Sequence, residues 1–168
     1  MSKKEIRNYI KLGVIIAFTI ILAIIIKNLY TSYDNNKANK SYISKYVSVI
    51  NCKDLSNAML ELSGKNYLYL SYTGNKNIFE FERKLKKTLK QNDLEDNFIF
   101  VDCTNDVNED NHVSFLKDLL IVGNKEIKLP AIIYFNDITP IDYIDSQNGL
   151  IDVSDFVQLL DQYEVSKE

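Results

Sequence analysis

The sequence predicts an α/β domain with a mixed β-sheet flanked by helices, preceded by one transmembrane helix. Two observations support this prediction. The run from Leu12 to Ile26 contains no charged residue and is bounded by a lysine on each side. After it, strand-like and helix-like segments follow in the order β-α-β-α-β-α-β-β-α. Early parallel crossovers followed by a late hairpin produce a mixed central sheet with helices on both faces.

Residues 12–30 are predicted to form a transmembrane signal-anchor. The uncharged run alone is short of the roughly 20 residues that cross the hydrocarbon core. The flanking residues extend the usable helix on both sides. Tyr9 and Tyr30 can lie at the membrane interface, and Lys11 and Lys27 can snorkel toward it. A cleaved signal peptide is the alternative, but the bulky residues after Ile26 do not resemble a cleavage site. A buried core helix is a third interpretation, which no amphipathic pattern supports.

The distribution of basic residues predicts the orientation of this anchor. Residues 1–11 carry four cations, whereas Lys27 alone follows the run immediately, with further lysines at 37, 40 and 45 diluting the bias. The positive-inside rule therefore places residues 1–11 in the cytoplasm and the C-terminal domain outside the cytoplasmic membrane. Residues 31–45 are polar and are expected to form a linker or helical stalk, and residues 46–168 form the domain.

Composition limits the classes of partner. The chain has 20 Lys and Arg against 23 Asp and Glu, and residues 1–30 contain five of the former and one of the latter. The remainder holds 15 cations against 22 anions, a net charge of about −7. Such a module has no basic footprint for nucleic acid, and its net charge predicts weak repulsion from anionic headgroups. The many Ile, Asn and Lys residues resemble the products of AT-rich bacterial genomes.

The first half of the domain contains two predicted strands and two predicted helices. Tyr46–Ile50 is a short strand candidate, and the helical spacing of apolar residues across Asp54–Leu62 ends at Gly64. Tyr67–Tyr72 is almost continuously apolar and aromatic, as expected for a central strand covered on both faces. Ile78–Gln91 has the clearest amphipathic pattern in the domain, with lysines toward its C-terminal end.

The second half adds three strands and two helices. A helix is predicted over Val113–Val122, and a last helix is predicted to be capped by Asp152 or Ser154. The three strand segments are Phe98–Asp102, Leu129–Phe135 and Ile138–Ile144. The last two are expected to pair as a hairpin across Asn136-Asp137.

This order, with Pro130 opening the penultimate strand, resembles the thioredoxin fold over residues 46–165. The resemblance implies a Cys-x-x-Cys motif at the start of the long helix, where the helix N-terminus stabilises a thiolate. It also implies a cis proline that packs against this motif, a role that falls to Pro130. A trans proline that simply begins the strand is the alternative.

The chain departs from this pattern at the redox motif. The motif positions fall at about Asn75 and Ile78, and no cysteine occurs between Cys52 and Cys103. An amide and an aliphatic side chain cannot attack a disulfide, so ordinary oxidoreductase activity is not expected. The chain most resembles membrane-anchored thioredoxin-like proteins of Gram-positive bacteria, some similar to bacteriocin accessory proteins, in a form without the motif.

Two interpretations of the cysteines stay open. The thioredoxin arrangement makes the first and third strands parallel neighbours, and Cys52 and Cys103 each follow one of them. A disulfide between them is therefore feasible outside the cytoplasm, and would stabilise the domain by about 3–4 kcal/mol. Two separate thiols acting as small core hydrophobes are the other interpretation, and the one we favour from the sequence.

No metal or cofactor site is predicted. His112 is the only histidine, which leaves zinc and Cys-His sites without ligands nearby. The acidic residues from Asp102 to Asp110 lack the glycine and closing glutamate of a calcium loop, and are expected to be solvated.

Three functional hypotheses follow. The first is a redox-inactive module that binds a protein or peptide partner in a groove where an extended chain can pair, formed by Tyr72, Gly74, Asn75, Lys76, Asn77, Leu129 and Pro130. The second is a redox protein that works through Cys103 or Cys52. The third is a structural or immunity-type membrane subunit that acts through its anchor helix.

Overall fold

The computed structural model describes residues 3–113 and 126–163. It divides into two compact units, residues 1–37 and residues 38–168. The predicted helix at Val113–Val122 lies outside the described residues, apart from Val113 itself.

Helix α1, Lys3–Ala38, forms the N-terminal unit except for its last residue, which belongs to the second unit. Over Ile10–Ala38 this helix is long and apolar enough to cross a membrane. Its large apolar side chains from Ile10 to Leu29 are exposed rather than packed in a core. Exposing so much apolar surface to water is unfavourable, and the hydrocarbon interior of a bilayer removes that cost.

The second unit contains a five-stranded mixed sheet in the order β1-β3-β2-β4-β5. β1 and β2 pair parallel to β3, whereas β4 pairs antiparallel to both β2 and β5. This is the predicted topology, including the hairpin formed by the last two strands. The strands are β1 (Ser48–Asn51), β2 (Lys65–Ser71), β3 (Phe98–Asp102), β4 (Ala131–Asn136) and β5 (Thr139–Ile144).

β1 begins two residues later than its apolar pattern suggested. Residues Ile43–Lys45 form a 3₁₀ turn, and the Tyr46 N–H donates to the Ile43 carbonyl at 2.9 Å. Tyr46 therefore ends this turn, and the extended backbone begins at Ser48.

Among the described residues of the second unit, three α-helices are present: α2 (Leu55–Leu60), α3 (Lys76–Gln91) and α4 (Val153–Tyr163). The predicted apolar stripe of α3 is buried as expected: Ile78, Phe81, Leu85 and Leu89. α4 begins directly after Asp152, whose N–H donates to the Asp155 carboxylate at 2.7 Å. An acid in the first turn satisfies backbone donors and complements the helix dipole there.

β2 is covered on both faces, which explains its almost continuous apolar sequence. Its tyrosines Tyr67 and Tyr69 belong to the core cluster that also contains α3 and α4 side chains. The intervening Leu68 and Leu70 belong to a second cluster, with Cys52 and residues of β4. Because successive strand side chains point to opposite faces, two cores form on the two sides of one sheet.

Candidate functional site

The start of α3 is built around an amide cap where the resemblance implies a redox motif. Asn75 has an extended backbone, and its side-chain oxygen accepts from the N–H groups of Asn77 at 2.9 Å and Ile78 at 3.3 Å. Gly74 before it adopts a φ of +89°, which only glycine accommodates readily. Ile78 is 2% exposed and packs in the core. These side chains hold the helix end and carry no nucleophile.

Hydrogen bonds hold the loop that leads into α3. The Thr73 N–H donates to the Thr104 hydroxyl oxygen at 3.0 Å, and the Thr104 N–H donates to the Asp102 carboxylate at 3.0 Å. The Gly74 N–H donates to the Ala38 carbonyl at 2.7 Å. The loop is thus joined both to the end of β3 and to the segment that enters the domain.

Cys52 and Cys103 form a disulfide, with their Cα atoms 4.8 Å apart. The parallel register pairs Asn51 with Asp102, so the next residue of each strand is a cysteine. The favoured interpretation of two separate thiols is therefore wrong, and the alternative based on neighbouring strands is confirmed. Both cysteines are fully buried. Disulfide exchange requires a thiolate to reach one sulfur, and this burial prevents such access in the folded domain.

The Leu129–Pro130 peptide bond is cis, as the resemblance implies, and the trans alternative is wrong. Both residues are buried, and Leu129 is only 1% exposed. Its side chain packs in the cluster that contains Cys103, and half-buried Tyr72 packs against the same cluster. The structure thus brings Tyr72 and Leu129 to one cluster, but it leaves the Leu129 side chain inside the core rather than on a groove surface.

The backbone groups on either side of Pro130 are largely engaged within the domain. On one side, the Leu129 N–H donates to the Asn111 carbonyl at 2.8 Å. On the other, Ser146 donates its N–H to the Lys128 carbonyl at 3.1 Å and its hydroxyl to the Pro130 carbonyl at 2.8 Å. An extended partner chain that paired with Leu129 would first have to displace Asn111.

The remaining residues predicted for the groove lie around the N-terminus of α3. Gly74, Lys76 and Asn77 are exposed, and Asn75 is half-buried. Together they present backbone, amide and ammonium groups at the surface. We call this set, together with Tyr72, the α3-start surface.

His112 supports the loop next to Pro130. It forms a β-bridge with Lys128, and its Nδ1 lies 3.1 Å from the Ile127 carbonyl oxygen. Its N–H donates to the Asn108 side chain at 2.9 Å. Asp106, from the acidic run, pairs with Lys53 at 3.3 Å. In residues 3–113 and 126–163, no group of three potential ligands converges as a metal site.

Glu82 is the site residue that the sequence interpretation missed. It lies on the buried face of α3 and is 1% exposed. Its Oε2 accepts from the Ser41 hydroxyl at 2.8 Å, the Ile43 N–H at 3.2 Å and the Tyr42 N–H, and its Oε1 accepts from the Tyr69 hydroxyl at 3.3 Å. Burial raises the pKa of Glu82, while these hydrogen bonds oppose the increase. The sequence did contain a signal for this buried carboxyl, because Glu82 falls within the apolar stripe of α3.

No protein-family model and no curated protein sequence matches the chain. Solved structures do. The crystal structure of Chlamydomonas reinhardtii thioredoxin f2 aligns with a TM-score of 0.51 at 10% identity, over 72% of this chain and 99% of that one. A chain of the ferredoxin:thioredoxin reductase and thioredoxin f2 complex aligns with a TM-score of 0.50 at 12% identity, over 70% and 94% of the two chains.

The protein therefore has a thioredoxin-like fold, with one N-terminal helix that is apolar enough to span a membrane. Identities of this size show a shared fold and leave activity to be argued from the site.

Proposed function

We propose that this protein is a thioredoxin-like module, tethered at the outer face of the cytoplasmic membrane, that binds a protein or peptide partner without thiol chemistry. One observation carries the proposal. The motif positions hold a capping amide and a core isoleucine, and the two cysteines of the chain are bonded to each other and buried. A thioredoxin-like domain that has an exposed surface at the start of α3 but no accessible thiol can still bind a protein or peptide there.

The disulfide supports the proposed compartment. Structural disulfides persist in oxidising environments and are rare in the reducing cytosol. The basic residues within 1–11 independently favour a cytoplasmic N-terminus. With α1 as the span, the domain is then extracytoplasmic, where the bond between Cys52 and Cys103 is stable.

The partner is proposed to bind the α3-start surface through side-chain contacts. Lys76 and Asn77 are exposed there, and Tyr72 connects the surface to the cluster that contains Leu129. Addition of a partner strand at Leu129 is less favourable, because its N–H already donates to Asn111. Leu129 and Pro130 thus support the surface from within rather than lining it.

Site-specific photocrosslinking of the full-length chain in intact cells tests this proposal. A photoreactive residue is placed at Asn77 and, as a matched control, at Ser154, which is also exposed near a helix start but lies on α4. We expect one partner to crosslink at Asn77 and not at Ser154, and Lys76→Glu to weaken its capture. Equal capture at both positions would contradict the proposed surface.

A second arm replaces residues 12–30 with an unrelated transmembrane span. We expect the Asn77 crosslink to persist, because the domain makes the contact and the span only tethers it. A crosslink lost with the original span would instead support recognition by the anchor helix.

A further inference from the structure

The charges of the domain are strongly segregated. From residue 31 onward the chain has 15 cations and 22 anions, and α3 alone contributes six of those cations with only two anions, Glu80 and Glu82. The rest therefore holds nine cations against 20 anions. The cations of α3, which we call the α3 basic face, are Lys76, Arg83, Lys84, Lys86, Lys87 and Lys90.

Most of these cations lie on the side of α3 that faces away from the core. Arg83, Lys87 and Lys90 follow one another at intervals of four and three residues, which places them on one helix face, and all three are exposed. Glu80 pairs with Arg83 at 2.9 Å, and Glu82 points into the core. The basic face therefore retains a net positive charge at the surface.

Aromatic side chains border this face. The Tyr42 ring lies 5.5 Å from the Phe79 ring of α3 and 5.6 Å from the Tyr46 ring. The Lys86 ammonium lies 4.2 Å from the centre of the Tyr46 ring, and Tyr46 is 39% exposed. Tyrosines beside lysines are the combination enriched at membrane interfaces, where the ring has an apolar body and a polar tip.

The chain enters the domain next to the same helix. Ala38 ends α1 and accepts the Gly74 N–H two residues before α3 begins. Ala38 follows Tyr30 by eight residues along the helix, about 12 Å of rise. Lys37, Lys40 and Lys45 add further cations to this entering segment. The segment that joins the apolar run to the domain is therefore short and basic.

We propose that the α3 basic face docks on the phosphate groups of anionic lipid headgroups. This inference rests on the membrane tether of the proposed function. The net charge of about −7 predicted repulsion, but a segregated domain can present its cations to the membrane and keep its anions in solvent. The short tether and the bordering tyrosines favour a lipid surface over an acidic protein as the occupant.

Lysine acetylation of the full-length chain in nanodiscs, read by mass spectrometry, tests the docking. One disc contains phosphatidylcholine alone, and the other also contains phosphatidylglycerol. Acetylation of Lys87 and Lys90 is expected to slow about fivefold in the anionic disc. A change of this size corresponds to the attraction of one Lys or Arg side chain to an anionic membrane surface. About 0.5 M salt should abolish this protection. Lys53, exposed in the turn that follows β1, should react equally in both discs.

Two double variants with the same change in net charge provide the matched comparison. Arg83→Gln with Lys87→Gln should remove most of the protection at Lys90. Ser154→Glu with Gln158→Glu, at exposed positions of α4, should leave it unchanged. Equal effects of the two variants would show a response to net charge alone and would overturn the docking face.

The outcomes separate this inference from the tether. A chain that enters both discs and is acetylated equally in them overturns the docking alone. A chain that enters neither disc overturns the tether and the docking together. Protection that requires an added acidic protein, and not phosphatidylglycerol, assigns the α3 basic face to a protein partner and overturns the lipid.

Discussion

Cys52 and Cys103 are bonded to each other immediately beyond the paired ends of β1 and β3. The bond closes a loop between residues 51 positions apart and fastens the four-residue edge strand β1 to its inner neighbour β3. A short edge strand has few backbone hydrogen bonds of its own, so a covalent link at its end limits fraying. The cysteines thus stabilise the fold and are not available for exchange.

Removing this disulfide should destabilise the domain strongly. Cys52→Ala with Cys103→Ala is expected to lower the free energy of unfolding by about 4 kcal/mol, because a loop of this length loses its restraint in the unfolded chain. Urea unfolding of the full-length chain in detergent, followed by near-ultraviolet circular dichroism, measures the change. A loss below about 1 kcal/mol would contradict a stabilising role.

The amide cap of α3 should be replaceable only by another acceptor. Asn75→Ala is expected to cost about 1 kcal/mol of stability, because the N–H groups of Asn77 and Ile78 lose their partner. Asn75→Asp should retain the cap and add a favourable charge at the helix N-terminus. Asn77→Ala is the control, because Asn77 is an exposed residue two positions after Asn75, and it should change stability little. Equal losses in Asn75→Ala and Asn77→Ala would disprove the cap.

Glu82 should make the domain less stable as the pH rises. Its pKa in the folded state lies above the usual 4.5, so the folded state binds more protons than the unfolded state as the pH rises above that value. The free energy of unfolding therefore declines as the pH rises from the usual pKa toward the pKa in the folded state, and it stays at the lower level above the folded pKa. Glu82→Gln should abolish this decline while keeping an acceptor for Ser41 and Ile43.

Glu82→Ala provides the contrast. It leaves buried donors of Ser41 and Ile43 without an acceptor, and should cost about 2–3 kcal/mol at neutral pH. Urea titrations between pH 4 and pH 8 compare the three proteins. An unchanged pH profile in Glu82→Gln would show that another group causes the decline.

Two buried tyrosines of β2 should respond oppositely to loss of their hydroxyl. Among the described residues, the Tyr67 hydroxyl has no hydrogen-bond partner, whereas the Tyr69 hydroxyl donates to Glu82 at 3.3 Å. Tyr67→Phe should be neutral or stabilise by about 1 kcal/mol, and Tyr69→Phe should destabilise by about the same amount. Thermal unfolding of both variants checks the order, and the reverse order would contradict the assigned partners.

Local patterns were sufficient for much of the fold. The amphipathic stripe of α3 and the two-faced sequence of β2 follow directly from the periods of a helix and a strand, and the hairpin of β4 and β5 follows from the turn between them. β1 was misplaced by two residues because a 3₁₀ turn extends to Tyr46, which an apolar pattern does not distinguish from a strand.

The site was less predictable, because it depends on contacts between distant segments. The bond between Cys52 and Cys103 required knowing which strands are neighbours, which the resemblance supplied. Three partners of Glu82, the residues Ser41, Tyr42 and Ile43, lie about 40 residues earlier in the chain, and no local pattern relates them to it. Likewise, the engagement of Leu129 by Asn111 depends on how a polar loop folds back on the domain.

Insulin reduction with dithiothreitol measures most directly whether this thioredoxin-like fold works without thiol chemistry. The wild-type chain and the Cys52→Ala, Cys103→Ala variant are compared in the same detergent with an active thioredoxin as reference. We predict that both chains give only the uncatalysed rate, because the disulfide is buried and the capping amide of Asn75 precedes α3 where a redox cysteine would be needed. Catalysis by the wild type that disappears in the variant would contradict this, and would make the buried disulfide a redox centre.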